Sequence, residues 1–281
     1  MKAIKPLFIL CLALGFAACK KNELDMTVVQ KTVLEGNTLG QFRVNDAWEV
    51  AIVYDSVDSF VELEYSAYLE DYVSVREADE WLSVGFTGKI YPMAGSVYKA
   101  TIHTSERRFL RISADNASVV AMEGRFELEE GIDIDLRNAT VCSGLDVSAP
   151  SCSISLTKDS QLLGVQYDGA TCSLSVSTGS SCKGIFNVGQ SFNADAENQS
   201  QLIVFGGSMP SATLKVNGAS TVNMAQAEVE DMEVHLDGAS EATVNVANTL
   251  GGFVLSASTL YYKGNPQIDV ECSDDSQLIP F

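Results

Sequence analysis

The sequence predicts an all-β chain wound as a right-handed parallel β-helix, a β-solenoid with coils of about 20 residues. Three observations carry the prediction. Hydroxyl residues recur at Thr140, Ser160, Ser180, Ser200, Ser220 and Ser240. Each follows a turn-forming pair: Asn138-Ala139, Lys158-Asp159, Thr178-Gly179, Asn198-Gln199, Gly218-Ala219 and Gly238-Ala239. Apolar residues hold the same spacing, in a column Ile134, Ile154, Leu174, Ala194, Leu214, Val234 and another Leu136, Leu156, Val176, Ala196, Val216, Leu236. Further columns read Cys142, Leu162, Cys182, Leu202, Val222, Ala242 and Leu145, Val165, Ile185, Phe205.

Between the columns the chain alternates, as in Ser151-Cys152-Ser153-Ile154-Ser155-Leu156, the period-two pattern of a strand with one buried face. A repeat this short holds no pair of helices, whereas three short strands with their turns fill it. Strands of successive coils then stack at roughly 4.8 Å. Leucine-rich repeats have a similar length but require an L-x-x-L-x-L pattern with an Asn ladder, and these copies have neither.

Taken in order, residues 1–18 read as a processing segment. Lys2 and Lys5 precede the apolar run Leu7 to Phe16, which ends in Ala17-Ala18-Cys19. The pattern resembles a bacterial lipoprotein signal peptide, with Phe16 where such signals usually carry Leu. The resemblance implies cleavage before Cys19 and a lipid on its sulfur, with residues 19–41 as tether and lead-in. An ordinary secretory signal cleaved near Ala18 is the alternative. Removal of Lys2 and Lys5, with no acid, takes the formal charge from −19 to −21. The mature chain is then expected outside the cytoplasm, as an outer-membrane lipoprotein of the cell envelope whose membrane partner is reached through that lipid. No run of acids follows Cys19, so a periplasmic and a surface-facing position both stay open.

Residues 42–281 read as one solenoid domain. In its first part, 42–131, the coils are looser: Leu110, Ile112 and Ala114 precede Asn116-Ala117-Ser118 at an offset of twenty-two from the next copy. Earlier still, Glu49 to Val53, Phe60 to Tyr65, Leu82 to Phe86 and Tyr98 to His103 alternate like strands. Coils 132–281 are regular. They end in a repeat shortened to about nineteen at Phe253, Leu255 and Thr259, followed by a closing strand with Ile268, Val270 and Cys272.

Several segments resemble the GIN domain family, the head domain of auto-transporter adhesins found in secreted and lipid-anchored proteins of Bacteroides-type bacteria. They are Phe42-Arg43-Val44 with Trp48-Glu49-Val50, and Val73-Ser74-Val75 leading to Trp81-Leu82-Ser83-Val84. The Gly-Ala-Ser turns at 218–220 and 238–240 and the end Tyr262-Lys263-Gly264-Asn265-Pro266-Gln267-Ile268 complete the match. The resemblance covers residues 40–281. It implies a β-helix-like fold, an extracytoplasmic location and an undefined activity, and it carries over no catalytic residues.

Composition narrows the function. With 18 Lys+Arg against 37 Asp+Glu, nucleic acid is excluded as an expected partner, since its binding relies on cations neutralising phosphates. No run of twenty apolar residues suits a membrane helix. Pectate-lyase-like enzymes share the solenoid fold and act on acidic polysaccharides with clustered Asp helped by Arg, Lys or calcium. Between Cys142 and Tyr262 the only basic residues are Lys158, Lys183 and Lys215, and an acidic body repels a polyanion. The chain is therefore expected to be no enzyme, without catalytic residues, cofactor or metal. His103 and His235 alternate with apolar neighbours and are expected to face solvent. Asp231 with Glu228, Glu230 and Glu233, and Glu70 with Asp71, Glu77, Asp79 and Glu80, lack the spacing of a calcium loop and read as solvated faces.

One aromatic group stands out. Tyr65, Tyr68, Tyr72 and Trp81 suit stacking on a sugar or packing on a protein partner, and equally suit packing over the open end of the first coil. A structural or adhesive module with a glycan or envelope-protein partner is the leading reading. A carbohydrate-binding protein is the alternative, with a polysaccharide-degrading enzyme behind it. Tyr261-Tyr262 are expected to cap the other end. Cys152 and Cys172 fall on adjacent coils near the roughly 4.8 Å spacing, a distance a disulfide tolerates, but their Cβ vectors run parallel rather than toward each other. Cys142 and Cys182 lie two coils apart. All five cysteines after Cys19 are expected to serve as small buried apolar residues.

Overall fold

The computed structural model describes residues 24–35, 40–55 and 57–281. The predicted signal segment and Cys19 lie outside them. The described chain is a β-solenoid of about 9 turns. Its core column is in direct register: Ile134 pairs with Ile154, Ile154 with Leu174, Leu174 with Ala194, Ala194 with Leu214 and Leu214 with Val234. All six are buried, while Ser153, Ser173 and Ser175 between them are exposed. The alternation works because a strand's side chains point to opposite faces, so one parity fills the interior of every coil.

The repeated turn is a two-residue corner with both residues in the left-handed region, for example Asn138 and Ala139 at φ 53° and 60°, and Lys158 and Asp159 at 54° and 63°. That region favours Asn, Asp and Gly, which recur there. The hydroxyl residue after each corner turns inward and is buried. Its side chain satisfies backbone that the corner leaves unpaired. Ser160 N–H donates to Ser180 Oγ at 3.1 Å, Ser200 N–H to Ser220 Oγ at 3.1 Å and Ser240 N–H to Ser258 Oγ at 3.1 Å. Thr140, Ser160 and Ser240 each donate back to the carbonyl three residues earlier. The recurring hydroxyls are thus a buried polar ladder beside the apolar core.

Four sequence expectations are corrected. Ile185 and Phe205 do not continue the Leu145 and Val165 column but are exposed, at 38% and 50%. An extra residue at Gly164 shifts the register, so Val165 pairs with Gly184 and Ile185 with the exposed Gln166. Gly184 is required there, since a Cβ would sit 2.5 Å from that of Val165. The shortened coil has eighteen residues, not nineteen: Leu236 pairs with Val254, which points inward, leaving Phe253 and Leu255 exposed. Cys142, Cys152, Cys172 and Cys182 are buried free thiols as expected, whereas Cys272 is exposed, because among the described residues its strand is paired on one side only.

The fourth correction concerns the first coils, which are not stacked in chain order. Strand Gln41–Val44 lies between Phe109–Ala114 on one side and Trp81–Phe86 on the other. Glu49–Tyr54 likewise lies between Val119–Glu123 and Tyr98–Thr104. The coil made by residues 81–104 is therefore outermost, and the chain returns past the first coil to continue the solenoid. Antiparallel strands then close this end: Phe60–Ser66 on Tyr98–Thr104, Val28–Val33 on Phe60–Ser66, and Val73–Ala78 on Trp81–Phe86. Trp48 is the first-coil counterpart of the hydroxyl ladder, buried against Phe86 and Tyr98 at ring distances of 5.3 and 6.1 Å. Packing of this kind keeps the last apolar layer from water. At the far end Tyr261 and Tyr262 are half-buried under strand Gln277–Pro280.

Candidate functional site

One face of the solenoid is a single ladder of eleven parallel strands, from Trp81–Phe86 through Gln41–Val44 to Gln267–Cys272. Ten spacings of about 4.8 Å make it about 48 Å long. Its outward side chains form two rows. One begins Trp81 and Gln41, then Arg111, Asp133, Ser153, Ser173, Asn193, Thr213 and Glu233; the other begins Arg43, Ser113, Asp135, Ser155, Ser175, Asp195, Lys215 and His235. The face is polar because each outward residue is the partner parity of a core residue.

The two ends of this face differ. At the capped end a groove of about 570 Å³ lies over Trp81, Arg43 and Arg111. The Arg43 guanidinium stacks over the Trp81 ring at 4.6 Å and that of Arg111 stands 5.9 Å from it. Arg111 is also tied to Asp133 at 2.9 Å, whereas Arg43 makes no ion pair among the described residues. A tryptophan ring with one guanidinium stacked on it and a second close by presents fork-shaped hydrogen-bond donors on an aromatic base. At the other end a groove of about 590 Å³ is lined by Asp231, Glu233, Phe253, Asp269 and Glu271. Gly251, between Glu233 and Asp269 in the row, leaves it open. His235 Nε2 lies 2.9 Å from Glu233 Oε1 beside Phe253. Among the described residues no group of three metal-binding side chains converges.

The four aromatic candidates do not form one cluster. Tyr65 is buried at 2% exposure, between strands of the cap, so it serves packing. Tyr68 is half-buried, its hydroxyl bonded to Ser96 Oγ at 2.5 Å and accepting from Met93 N–H at 2.9 Å. Tyr72 is exposed beside Thr87, at the open end of the hairpin whose turn carries Trp81. The hairpin's length, some 20 Å, separates Trp81 from Tyr72. Trp81 alone belongs to the long face, and its partners Arg43 and Arg111 were not singled out in the sequence for this role. His103 also departs from expectation. The antiparallel strand Phe60–Ser66 covers it, so its ring is half-buried, stacked on Phe60 at 4.1 Å, with Glu62 and Asp55 3.6 and 3.8 Å away. His235 stays half-exposed on the outer face.

Electrostatics along the neighbouring face are settled by pairs. Arg125 reaches Asp146 and Asp168, each at 2.9 Å, on two successive coils. Hydrogen bonds from Asn187, and then from Arg125, hold the Asp168 carboxyl below the usual carboxylate range. Arg108 pairs with Glu130 at 2.5 Å near the cap. Nine of the fourteen described Lys and Arg thus lie before residue 132, where nineteen acids still outnumber them.

Comparison with solved structures gives the same architecture. A putative adhesin from Parabacteroides distasonis aligns with a TM-score of 0.60 at 12% identity, covering 92% of this chain and 98% of its own. A putative adhesin from Parabacteroides merdae aligns at 0.55 and 11%, covering 92% and 98%. A protein of Parabacteroides distasonis described as a putative lipid binding protein aligns at 0.58 and 11%, covering 91% and 97%. At such identities the likeness is one of fold. No curated protein matches the sequence. The family model described as "Putative auto-transporter adhesin, head GIN domain" matches residues 41–266, most of the chain and all of its regular coils up to the closing strand. The chain belongs to that family.

Proposed function

We propose that the protein is a non-catalytic binding module of the cell envelope, an outer-membrane lipoprotein anchored through Cys19, whose long face holds a glycan with Trp81, Arg43 and Arg111 as the anchoring end. The observation that carries this reading is the Trp81 ring, stacked under a guanidinium that has no ion-pair partner among the described residues, at the head of a 48 Å polar face. The guanidinium forks held on the Trp81 ring donate to a sugar's oxygens, while the serine rows bond its hydroxyls. The adhesin descriptions of its fold relatives fit a contact role.

A glycan array tests the reading. Trp81→Ala and Arg43→Ala are each expected to weaken binding about 30-fold, the ~2 kcal/mol of an interface anchor. Glycan binding unchanged in both variants refutes the assignment, and reducing ends released from a bound polysaccharide refute the non-catalytic role. The anchor is tested separately: mass spectrometry of the mature N-terminus is expected to show a lipid on Cys19, and Cys19→Ala to release the protein from membranes. A water-soluble wild-type product refutes it.

A further inference from the structure

We infer that the capped end of the solenoid docks on the bilayer to which the N-terminus is tethered, with Tyr72, Tyr91 and Met93 as the residues that enter the lipid interface. The inference rests on the lipid anchor proposed above for the tether, and on independent geometry for the docking surface.

The described chain begins at this end. Among the described residues strand Val28–Val33 is the outermost of its ladder, paired on one side only, and residues 24–27 before it lie along the cap. Ala67 N–H donates to Thr27 O at 2.7 Å and Tyr68 N–H to Asp25 O at 3.0 Å. Tyr68 in turn accepts from Met93 N–H at 2.9 Å, which ties the loop between Phe86 and Tyr98 to the same end. Around this junction apolar side chains are exposed: Leu24 at 44%, Met26 at 39%, Tyr72 at 44%, Met93 at 54% and Tyr91 at 91%. A tyrosine exposed to that degree in a loop gains nothing from packing. Tyrosine is favoured at the lipid headgroup level, where its ring is in apolar surroundings and its hydroxyl in water.

The tether decides what meets this patch. Leu24 is five residues from Cys19. A chain of that length spans at most about 18 Å at 3.6 Å per residue. Headgroups take up about 5–7 Å on each side of the hydrocarbon core. The gap left between cap and headgroups is then at most about 11–13 Å, little more than the width of a single helix, so a folded partner domain does not fit between them. The opposite end is out of reach: from Val28–Val33 to Gln277–Pro280 the ladder holds thirteen strands, about 58 Å at twelve spacings. Charge selects the lipid. Asp25, Glu70 and Asp71 are exposed around the patch against Lys89, so a zwitterionic surface suits it and a strongly anionic one does not.

The test uses the mature chain from Lys20 with an N-terminal hexahistidine, held on nickel-chelating vesicles of phosphatidylethanolamine and phosphatidylcholine with brominated acyl chains. Anchored in this way, docking is read whether or not cells place a lipid on Cys19. A tryptophan reporter is introduced as Tyr91→Trp at the cap or Phe281→Trp at the far end, and the emission of Trp48 and Trp81 is subtracted with the parent chain. The Tyr91→Trp signal is expected to shift to the blue and to lose most of its intensity on brominated vesicles, and the Phe281→Trp signal to keep both. A Tyr91→Trp signal with unshifted, unquenched emission on vesicles overturns the docking. Quenching at both ends overturns it as well, since the solenoid then lies flat. A native chain without lipid but with a quenched reporter refutes the anchor alone.

Discussion

Replacing Ser180 separates the hydroxyl ladder from simple filling of the core. Ser160 N–H has Ser180 Oγ as its acceptor at 3.1 Å, and both residues are buried. Ser180→Val removes the acceptor and leaves that amide unpaired away from water, a penalty of about 1–3 kcal/mol. Ser180→Thr keeps the oxygen and adds the same methyl, and Thr140 already occupies the column two coils earlier. The difference between the Val and Thr variants therefore isolates the hydrogen bond, with crowding shared by both. Urea unfolding is expected to place the Val variant about 1–3 kcal/mol below the Thr variant. Amide hydrogen exchange gives a local reading that does not assume the whole solenoid unfolds as one unit: Ser160 N–H is expected to lose protection in the Val variant and keep it in the Thr variant. Equal stability and equal exchange in the two variants would refute the ladder as a stabilising element.

Two further predictions use the inward and outward parity. Ile154→Ala, Leu174→Ala and Leu214→Ala are each expected to cost about 2–5 kcal/mol, and Ser153→Ala or Ser175→Ala to stay within about 0.5 kcal/mol, by denaturant unfolding; similar losses in both sets contradict the assignment. For the thiols, burial pushes Cys142 up to about 12 and raises Cys172 and Cys182 as well. These three groups carry almost no thiolate at pH 8 and Cys152 is buried beside them, so a thiol reagent is expected to modify Cys272 alone in the folded protein and all five thiols after Cys19 once it is denatured, whereas three thiols after denaturation would mean a disulfide, with Cys152 and Cys172 the first pair to examine.

What the sequence by itself determined is everything that repeats coil by coil. The parity of Ile134, Ile154 and Leu174, the left-handed corners and the hydroxyl after each corner are local requirements, and every coil states them again. Repetition makes them legible, because the hydroxyl column and three apolar columns keep one spacing. Only the tertiary structure decided matters that a single coil cannot state. Phe42 has strand edges on both sides, and which strands fill them is a competition between partners far apart in the chain, won by Ile112 and Leu82. That choice brought Arg43, Trp81 and Arg111 into one groove and drew Tyr65 into the cap. The slip at Gly164 is similar: one extra residue in one coil reverses the parity of Ile185 and Phe205, and it is fixed by the lack of room for a side chain opposite Val165. Cys272 is exposed for a comparable reason, since its burial depends on a strand edge that stays unpaired among the described residues.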